Sequence, residues 1–480
     1  MTAVDDRRPA TAVAGRRALP GNRWDLLDGQ VPAEPPTVSV IVAHYRQQAE
    51  LDRTLLALGR QTHPADRLQI IVVDDGSPVA PTVAPGIRLL VQPDLGFRLA
   101  AARNLGASAA TGELLCFLDA DTTPEPGYIA ALCRLPALAP DVVTVGRRRH
   151  TDLGGVPAGS PIEVAGPPRE LPEPGWLVDA YRGSHDLLEA DDRSYRYVIG
   201  AVICCSRALF DAAGGFDETF SSYGGEDWEW AYRAWLHGAL FAHVRAAVAW
   251  HDGPAWEQGP GRRDDARRLK NAETLQLAQR VAVPGGRGAA LRTASADVVV
   301  RIRAAASLAA LVVCVDRVLL AAPSVTVVLP LPELCAFDEA DDLLGAAFAD
   351  DPRVVGALTA AAPAEHDRPG GRLLVDIDAP VQFEAQELQA ALDRVGRDGL
   401  GRLRVNDAAG QHMLDVVALR AARREQRWGR RLFERAETSW ASGARITAEP
   451  DLAAYFAAVS AAPSAAAAPT EPPNATPNGA

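Results

Sequence analysis

The chain lacks a concentrated block of either charge. Its 49 basic and 61 acidic residues leave a net charge of −12 spread along 480 positions, and no run of lysine and arginine marks a nucleic-acid surface, so no nucleic-acid partner is expected. Paired metal-ligand cysteines are missing too: Cys116, Cys133, Cys204, Cys205, Cys314 and Cys335 are scattered, several inside apolar runs where small buried thiols are common. That usage fits a reducing compartment. Cys204 and Cys205 are adjacent and cannot face the same side of a strand. There is no recognisable secretory signal, because Asp5, Asp6, Arg7 and Arg8 come first and no apolar core segment begins before Val38. Nor is there an uninterrupted membrane-length run. Residues 304–331 come nearest, but Asp316 and Arg317 sit near the middle and Pro323 follows, and a charged pair at mid-bilayer is costly. The segment reads as soluble and the expected location is cytoplasmic.

What is present points to two folded units, since 480 residues exceed one ordinary core. Residues 1–35 are rich in Pro, Ala and Arg, and residues 461–480 hold almost no large apolar group, so both read as disordered, a leader and a tail. Pro284-Gly285-Gly286-Arg287-Gly288 separates two textures. The expected division is a first domain over 36–282, a linker over 283–296 and a smaller second domain over 297–460. In the first, Val38–Ala43, Gln69–Val73 and Glu113–Leu118 read as strands, Leu51, Leu55 and Leu58 recur at helical spacing, and Arg98–Ala110 reads as a helix. That alternation predicts a parallel, doubly covered α/β sheet. In the second, strands are expected at Val325–Leu329, Val354–Leu358, Leu373–Ile377 and Leu403–Val405, and helices at Glu339–Phe348, Glu384–Val395 and Met413–Arg435.

The most informative stretch is Leu115-Cys116-Phe117-Leu118-Asp119-Ala120-Asp121, an apolar strand that ends in two acids one residue apart. The carboxyl end of a strand in such a sheet opens onto the ligand crevice, where two acids can hold a divalent cation against a diphosphate. Strand Ile70–Val73 ends similarly in Asp74-Asp75-Gly76-Ser77, where a carboxylate before a sharp glycine turn can accept hydrogen bonds from a base or a ribose. An Asx-turn leaving a strand would look the same.

Taken in order, Val38-Ser39-Val40-Ile41-Val42-Ala43-His44-Tyr45, Val72-Val73-Asp74-Asp75-Gly76-Ser77, Ala102-Arg103-Asn104-Leu105-Gly106 and Phe117-Leu118-Asp119-Ala120-Asp121 resemble the family 2 glycosyltransferases of the GT-A fold. The resemblance covers about residues 36–255. It implies a Rossmann-like nucleotide-diphospho-sugar transferase domain followed by a smaller α/β domain. It also implies nucleotide contacts from His44, Asp75, Arg103 and Asp119, with Asp75 on the uracil and Asp119 on the ribose or the metal. Asp121 would be the firm ligand of a Mn²⁺ or Mg²⁺ ion, since hard oxygen donors suit hard cations. An exposed helix charge is the alternative for Arg103.

Further along, Ser221-Ser222-Tyr223-Gly224-Gly225-Glu226-Asp227-Trp228-Glu229-Trp230 puts acids in the first turn of a helix, which favours the helix dipole and by itself accounts for them. With Gly214-Gly215-Phe216-Asp217-Glu218 before it, the segment resembles the acceptor-side motif of galactosyltransferase-type enzymes. That resemblance implies Asp227 as general base, Glu226 second, and Trp228 and Trp230 as an apolar platform for a sugar ring. His251, at the end of Val248-Ala249-Trp250-His251, matches the family's third metal ligand. Trp256, Arg262 and Arg263 follow in a Gly/Pro-rich stretch that reads either as a lid over the donor or as a passive connection.

In the second region Leu373-Leu374-Val375-Asp376-Ile377-Asp378 repeats the paired acids without their companions, which suggests a degenerate copy or an assembly module. Arg420, Arg423, Arg424, Arg427, Arg430 and Arg431 read as a solvated arginine face; the alternatives are an acidic partner or peripheral contact with the inner membrane face, where a lipid-linked acceptor would lie. The expected activity is metal-dependent inverting transfer of a sugar from a UDP-type donor to a glycan, lipid-linked or small-molecule hydroxyl, as in polysaccharide biosynthesis. The rivals are a nucleotidyltransferase, for which His44-Tyr45-Arg46-Gln47-Gln48 is the wrong phosphate loop, and a non-catalytic nucleotide-sugar binding protein.

Overall fold

The computed structural model describes residues 11–461 apart from 14, 223, 255–262, 284–285, 287–290, 292–295, 306, 323, 330–347, 349–350 and 357–370. Cys335, Trp256, Arg262 and the expected helix Glu339–Phe348, whose last residue alone is described, therefore lie outside it, as does the side chain of Arg263. Among the described residues, nine strands form one sheet and seven a second.

In the first sheet the strands run in the order Arg88–Val91, Leu68–Asp74, Val38–His44, Leu114–Asp119, Val202–Ser206, Val142–Thr151, Leu240–Asp252 and Thr122–Pro124, with Glu170–Leu171 pairing off the 142–151 strand. The first four are parallel, and Val202–Ser206 reverses direction against both its neighbours. Val38–His44 is buried at every position, as a β-branched strand in a parallel sheet must be when both faces are covered. The helix Leu99–Ala109 packs on strands 38–44 and 68–74, and the helix Tyr128–Leu138 on strands 142–151 and 240–252. The expected mixed α/β architecture, a mostly parallel sheet followed by a second α/β unit, is what the chain adopts.

The second sheet begins with the same arrangement: Val354–Gly356, Val325–Leu329, Val298–Ile302 and Leu373–Ile377 are parallel in that order, and the antiparallel His412–Ala418 comes next. Its strands alternate buried and half-buried positions, so only one face meets the core. That core is a separate cluster around Val300, Val327, Val375 and Leu414. The helix Leu308–Ala321 starts at Ser307, whose side chain accepts from Ala310 N, and Ala385–Arg397 starts with a reciprocal Glu384/Glu387 capping box. No described helix is long and apolar enough to cross a membrane.

Two expectations fail here. Residues 413–435 are not one helix. They form the end of strand His412–Ala418, the helix Leu419–Trp428 closed by Gly429 in a left-handed conformation, and a turn into strand Arg435–Ser439. Met413, Leu414 and Val416 are buried in the sheet, and that tertiary context overrides the helix propensity of Met413 and Leu414, so the helix begins only at Leu419. Nor is 1–35 a disordered leader throughout. From residue 15 it is packed: Leu19 and Leu27 are buried with Leu135, Leu138 and Leu240, and the Asn22 amide donates to Leu187 O at 2.6 Å and Phe241 O at 3.0 Å while accepting from Phe241 N at 2.9 Å. A fully satisfied buried amide holds this polar segment against the domain.

Candidate active site

Strands 38–44, 68–74 and 114–119 end side by side, with Ala43 opposite Asp119 and His44 opposite Asp74. The loops that leave them carry the expected residues. Asp75 is buried; Gln92 donates to one of its oxygens and Arg98 N to the other at 2.9 Å. Burial raises its pKa despite those donors. Gly76 has φ +79°, and a Cβ there would stand 2.4 Å from Asp94 N, so this turn requires glycine.

His44 is not available to a nucleotide. Its Nε2 accepts from Gln47 N at 3.1 Å, which leaves Nδ1 to donate to Asp74 at 2.7 Å, and the ring is buried. Asp74 also accepts from Ser77 N at 2.9 Å and Ser77 Oγ at 2.6 Å. The pair braces the loop that presents Asp75. His44 is a supporting residue, a correction to its expected nucleotide contact.

Arg103 is only 2% exposed, so it is no solvated helix charge. Its guanidinium donates to Asp119 Oδ1 and to Glu226 Oε1, both at 2.9 Å. Burial opposes that charge, but Asp119, Glu226 and Asp227 together outweigh it and raise the pKa. Gly200 leaves the room: a Cβ there would lie 2.7 Å from Arg103 Nη1.

Glu226 and Asp227 open the helix Glu226–Leu236 after Gly225, whose φ is +96°. Asp227 is oriented by two backbone donors, Gly200 N and Trp228 N, each at 2.8 Å. Burial raises its pKa. Glu226 is pushed up to about 7, by burial first and by the neighbouring Asp227 second, and its buried Oε2 has no partner among the described residues.

On the opposite wall, Asp121 accepts from Gln47 Nε2 at 3.1 Å and meets His251 Nδ1 at 3.2 Å. Burial works against its charge, yet His251 and Gln47 hold its pKa down. The register explains the meeting, since His251 pairs with Thr122, the residue after Asp121. Asp119 is turned to Arg103 instead. The only three-residue His/Cys/Asp/Glu group among the described residues whose ligand atoms already converge is Cys116, Cys133 and Cys204, so Asp119, Asp121 and His251 are not a ready-made triad. Asp121 and His251 do fit a hard cation that keeps phosphate oxygens or water in its other positions.

The two tryptophans part company. Trp230 is fully buried against Phe210 and Phe216 and forms no acceptor platform. Residues two apart on a helix do not share a face. Trp228 is half-exposed, and its ring stands edge-on to Trp176, 6.3 Å between centroids. Trp176 is 43% exposed and also approaches Tyr197 at 6.4 Å. Trp176 escaped the sequence reading because it lies in Gly175–Gly183, a helix with no motif. Arg148 escaped it as well; from strand 142–151 it adds positive potential at both Asp121 and Asp227. Only its place in that long strand hinted at the site.

Residues 39–200 match the family model of glycosyl transferase family 2, and residues 189–249 that of the N-terminal domain of galactosyltransferase. Residues 39–200 are thus similar to glycosyl transferase family 2. Among curated relatives, chondroitin synthase of Escherichia coli is 29% identical over 45% of this chain and 35% of its own. Validoxylamine A glucosyltransferase of Streptomyces hygroscopicus subsp. limoneus is 32% identical over 42% of this chain and 49% of its own. The hyaluronan synthase of Pasteurella multocida is 27% identical over 45% and 24%. The matches thus span from a quarter to about half the length of these relatives. A solved structure of a mannosyltransferase from Pyrobaculum calidifontis with GDP-Man and Mn²⁺ matches at a TM-score of 0.34 and 19% identity, over 55% of this chain and 65% of that one, too low to transfer any residue's position.

Proposed function

We propose that residues 36–282 move a sugar from a uridine diphosphate donor to an acceptor hydroxyl with inversion, and that 297–460 form an accessory domain. The observation that carries this reading is the pair of hydrogen bonds from Arg103, which ties Asp119 at a strand end to Glu226 at the start of the acidic helix. A donor side and an acceptor side are thereby joined through one buried cation.

Asp75 and Asp119 take the base and ribose of the donor. Asp227, held by two backbone donors, accepts the proton of the acceptor hydroxyl as its oxygen attacks the anomeric carbon; the bond to the diphosphate breaks and its electron pair leaves with the phosphate oxygen. Glu226, neutral below about pH 7, leaves Asp227 as the ionised partner of the pair. Trp228 and Trp176 offer the acceptor ring an apolar corner. Asp121 and His251 would hold a divalent cation, Mn²⁺ or Mg²⁺, which offsets the charge on the departing diphosphate. No covalent nucleophile is needed.

The reading is tested by incubating the full chain with a panel of UDP-sugars, acceptors and Mn²⁺, with and without a chelator. Release of UDP that depends on acceptor and metal is expected. Pyrophosphate formation from UTP and a sugar 1-phosphate would overturn the reading in favour of a nucleotidyltransferase, and tight UDP binding without turnover would leave a binding protein.

A further inference from the structure

The acidic helix carries both acids at one end, and its other end is held by the second domain. Residues 234–239 close in a Schellman turn: Gly238 N donates to Trp235 O and Ala239 N to Ala234 O, both at 2.9 Å, with Gly238 at φ +93°. The carbonyls around that turn are taken by the helix Leu419–Trp428. Arg423 Nη1 donates to Leu236 O at 2.8 Å, Arg427 Nη2 to His237 O at 3.2 Å, and Arg420 Nη2 to Ala239 O at 3.1 Å. The Arg420 guanidinium lies 3.4 Å from the centroid of the Trp235 ring. The Trp235 indole in turn donates to Asp192 at 2.8 Å, and Asp192 also receives Arg372 from the second sheet.

Close approach is built in at the backbone. A Cβ on Gly238 would come within 3.0 Å of Arg424 Cβ and 3.2 Å of Arg420 O. Arg424, fully buried, continues the contact by donating to Gly21 O at 2.6 Å and to Leu19 O, which pins the packed N-terminal segment between the two domains. Arg420, Arg423, Arg424 and Arg427 recur at helical spacing and so form one stripe. The expected solvated arginine face is instead an internal interface, and four of the six arginines are committed to it.

We propose that the second domain is a clamp on the acidic helix, and that Arg420, Arg423 and Arg427 are positioning residues for the acids at its far end. The clamp acts mechanically. An 11-residue helix is about 16 Å long, roughly two Debye lengths at physiological salt, so the arginine charges themselves scarcely reach Asp227. What they fix is the register and tilt of a rigid rod, and a displacement of about 1 Å at a reacting group can cost about 10²-fold in rate.

The inference rests on the reading of Asp227 as base, and the test separates the two. Full-length Arg423→Ala/Arg427→Ala is compared with wild type, with the double lysine variant and with Asp227→Asn, measuring kcat, donor and acceptor KM and hydrogen exchange of the 228–236 amides. The clamp predicts a kcat lowered at least tenfold with donor KM within twofold, faster exchange in the helix, and recovery in the lysine variant, which restores donors to the carbonyls. Unchanged kcat overturns it, as does a loss of kcat matched by an equal loss of donor binding. Should the double variant fail to fold, Arg427→Ala alone, a residue 38% exposed at its side chain, must still lower kcat without changing donor KM; if it does not, the clamp is overturned. An active Asp227→Asn would overturn the base assignment, while an inactive Asp227→Asn beside fully active arginine variants would overturn the clamp alone.

Discussion

Strand 114–119 in the first domain and strand 373–377 in the second hold the same fourth place in mixed sheets whose first five strands follow the same order, and each has two acids one residue apart at its carboxyl end. Their surroundings differ. Asp119 shares a single arginine with Glu226, and Asp121 faces an amide and a histidine. Asp376 is gripped by two arginines, receiving Arg301 at 3.0 and 2.9 Å and Arg303 at 2.8 Å, and its pKa is held down to about 2; burial works against this, and the two guanidiniums prevail. Asp378 lies 51% exposed near Arg303 and His412. The first pair keeps negative charge unspent for a ligand, whereas the second has been neutralised within the sheet. Topology alone therefore does not make a site; the cations that face the acids decide it.

The sharpest way to break the comparison is to neutralise one acid in each pair. Asp121→Asn is expected to lower metal-dependent transfer by about 10²-fold or more, through loss of a cation ligand. Asp376→Asn should leave kcat and KM unchanged. It should instead cost stability on the order of 1 kcal/mol, since its arginine partners are partly exposed, and remove a contribution that wild type keeps above about pH 4 and loses as the pH falls through about 2. Equal losses of activity from both variants would erase the distinction.

A second variant acts on the arginine that joins the two sides. Gly200→Ala puts a methyl group 2.7 Å from Arg103 Nη1, and because both ends of that guanidinium are pinned it must give up one acid. An about tenfold or greater fall in kcat with the fold intact is expected, as read by steady-state kinetics and circular dichroism. Wild-type kinetics would mean that the bridge is unimportant.

The two tryptophans supply a smaller contrast. Trp230→Ala should destabilise the domain by about 3–5 kcal/mol, as for other buried large aromatics, visible in denaturant unfolding. Trp176→Ala should leave stability within about 0.5 kcal/mol and raise acceptor KM several-fold while donor KM stays put. If Trp176→Ala leaves acceptor KM unchanged, the aromatic corner is not the acceptor's.

The smallest effect is on pH. Glu226 has a raised pKa in the folded chain, about 7 against an ordinary 4.5, so its ionisation withdraws stability as the pH rises through that interval. Glu226→Gln keeps the acceptor for Arg103 and removes one negative neighbour of Asp227. The acid limb of the rate profile, which Asp227 sets while Glu226 is still neutral, should stay in place, and stability at pH 8 should rise. A dead Glu226→Gln would make Glu226, not Asp227, the base.

Much of this was legible in the sequence, and the misses have physical causes. Apolar strands that end in acids stand out because burial and charge meet at one residue, so Asp75, Asp119 and Asp121 were marked before any geometry. His44 was misassigned because a polar residue at a strand end looks the same whether it faces a ligand or the neighbouring Asp74. Trp228 and Trp230 look like one cluster in a line of text, but helical geometry sets them on different faces. The arginines of 419–428 read as solvated because their carbonyl partners lie some 190 positions away, and backbone acceptors leave no mark in a sequence. Asn22 was invisible for the same reason. The second domain's likeness to the first resides in strand order, which no local pattern encodes.

One measurement bears most directly on the central claim that the first domain transfers sugar with Asp227 as base: nucleoside diphosphate release by wild type and Asp227→Asn, alongside the donor Kd of each. The account predicts about 10²–10⁴-fold slower release in the variant, the usual weight of a general base, with donor Kd unchanged. Release at the wild-type rate from Asp227→Asn would contradict it.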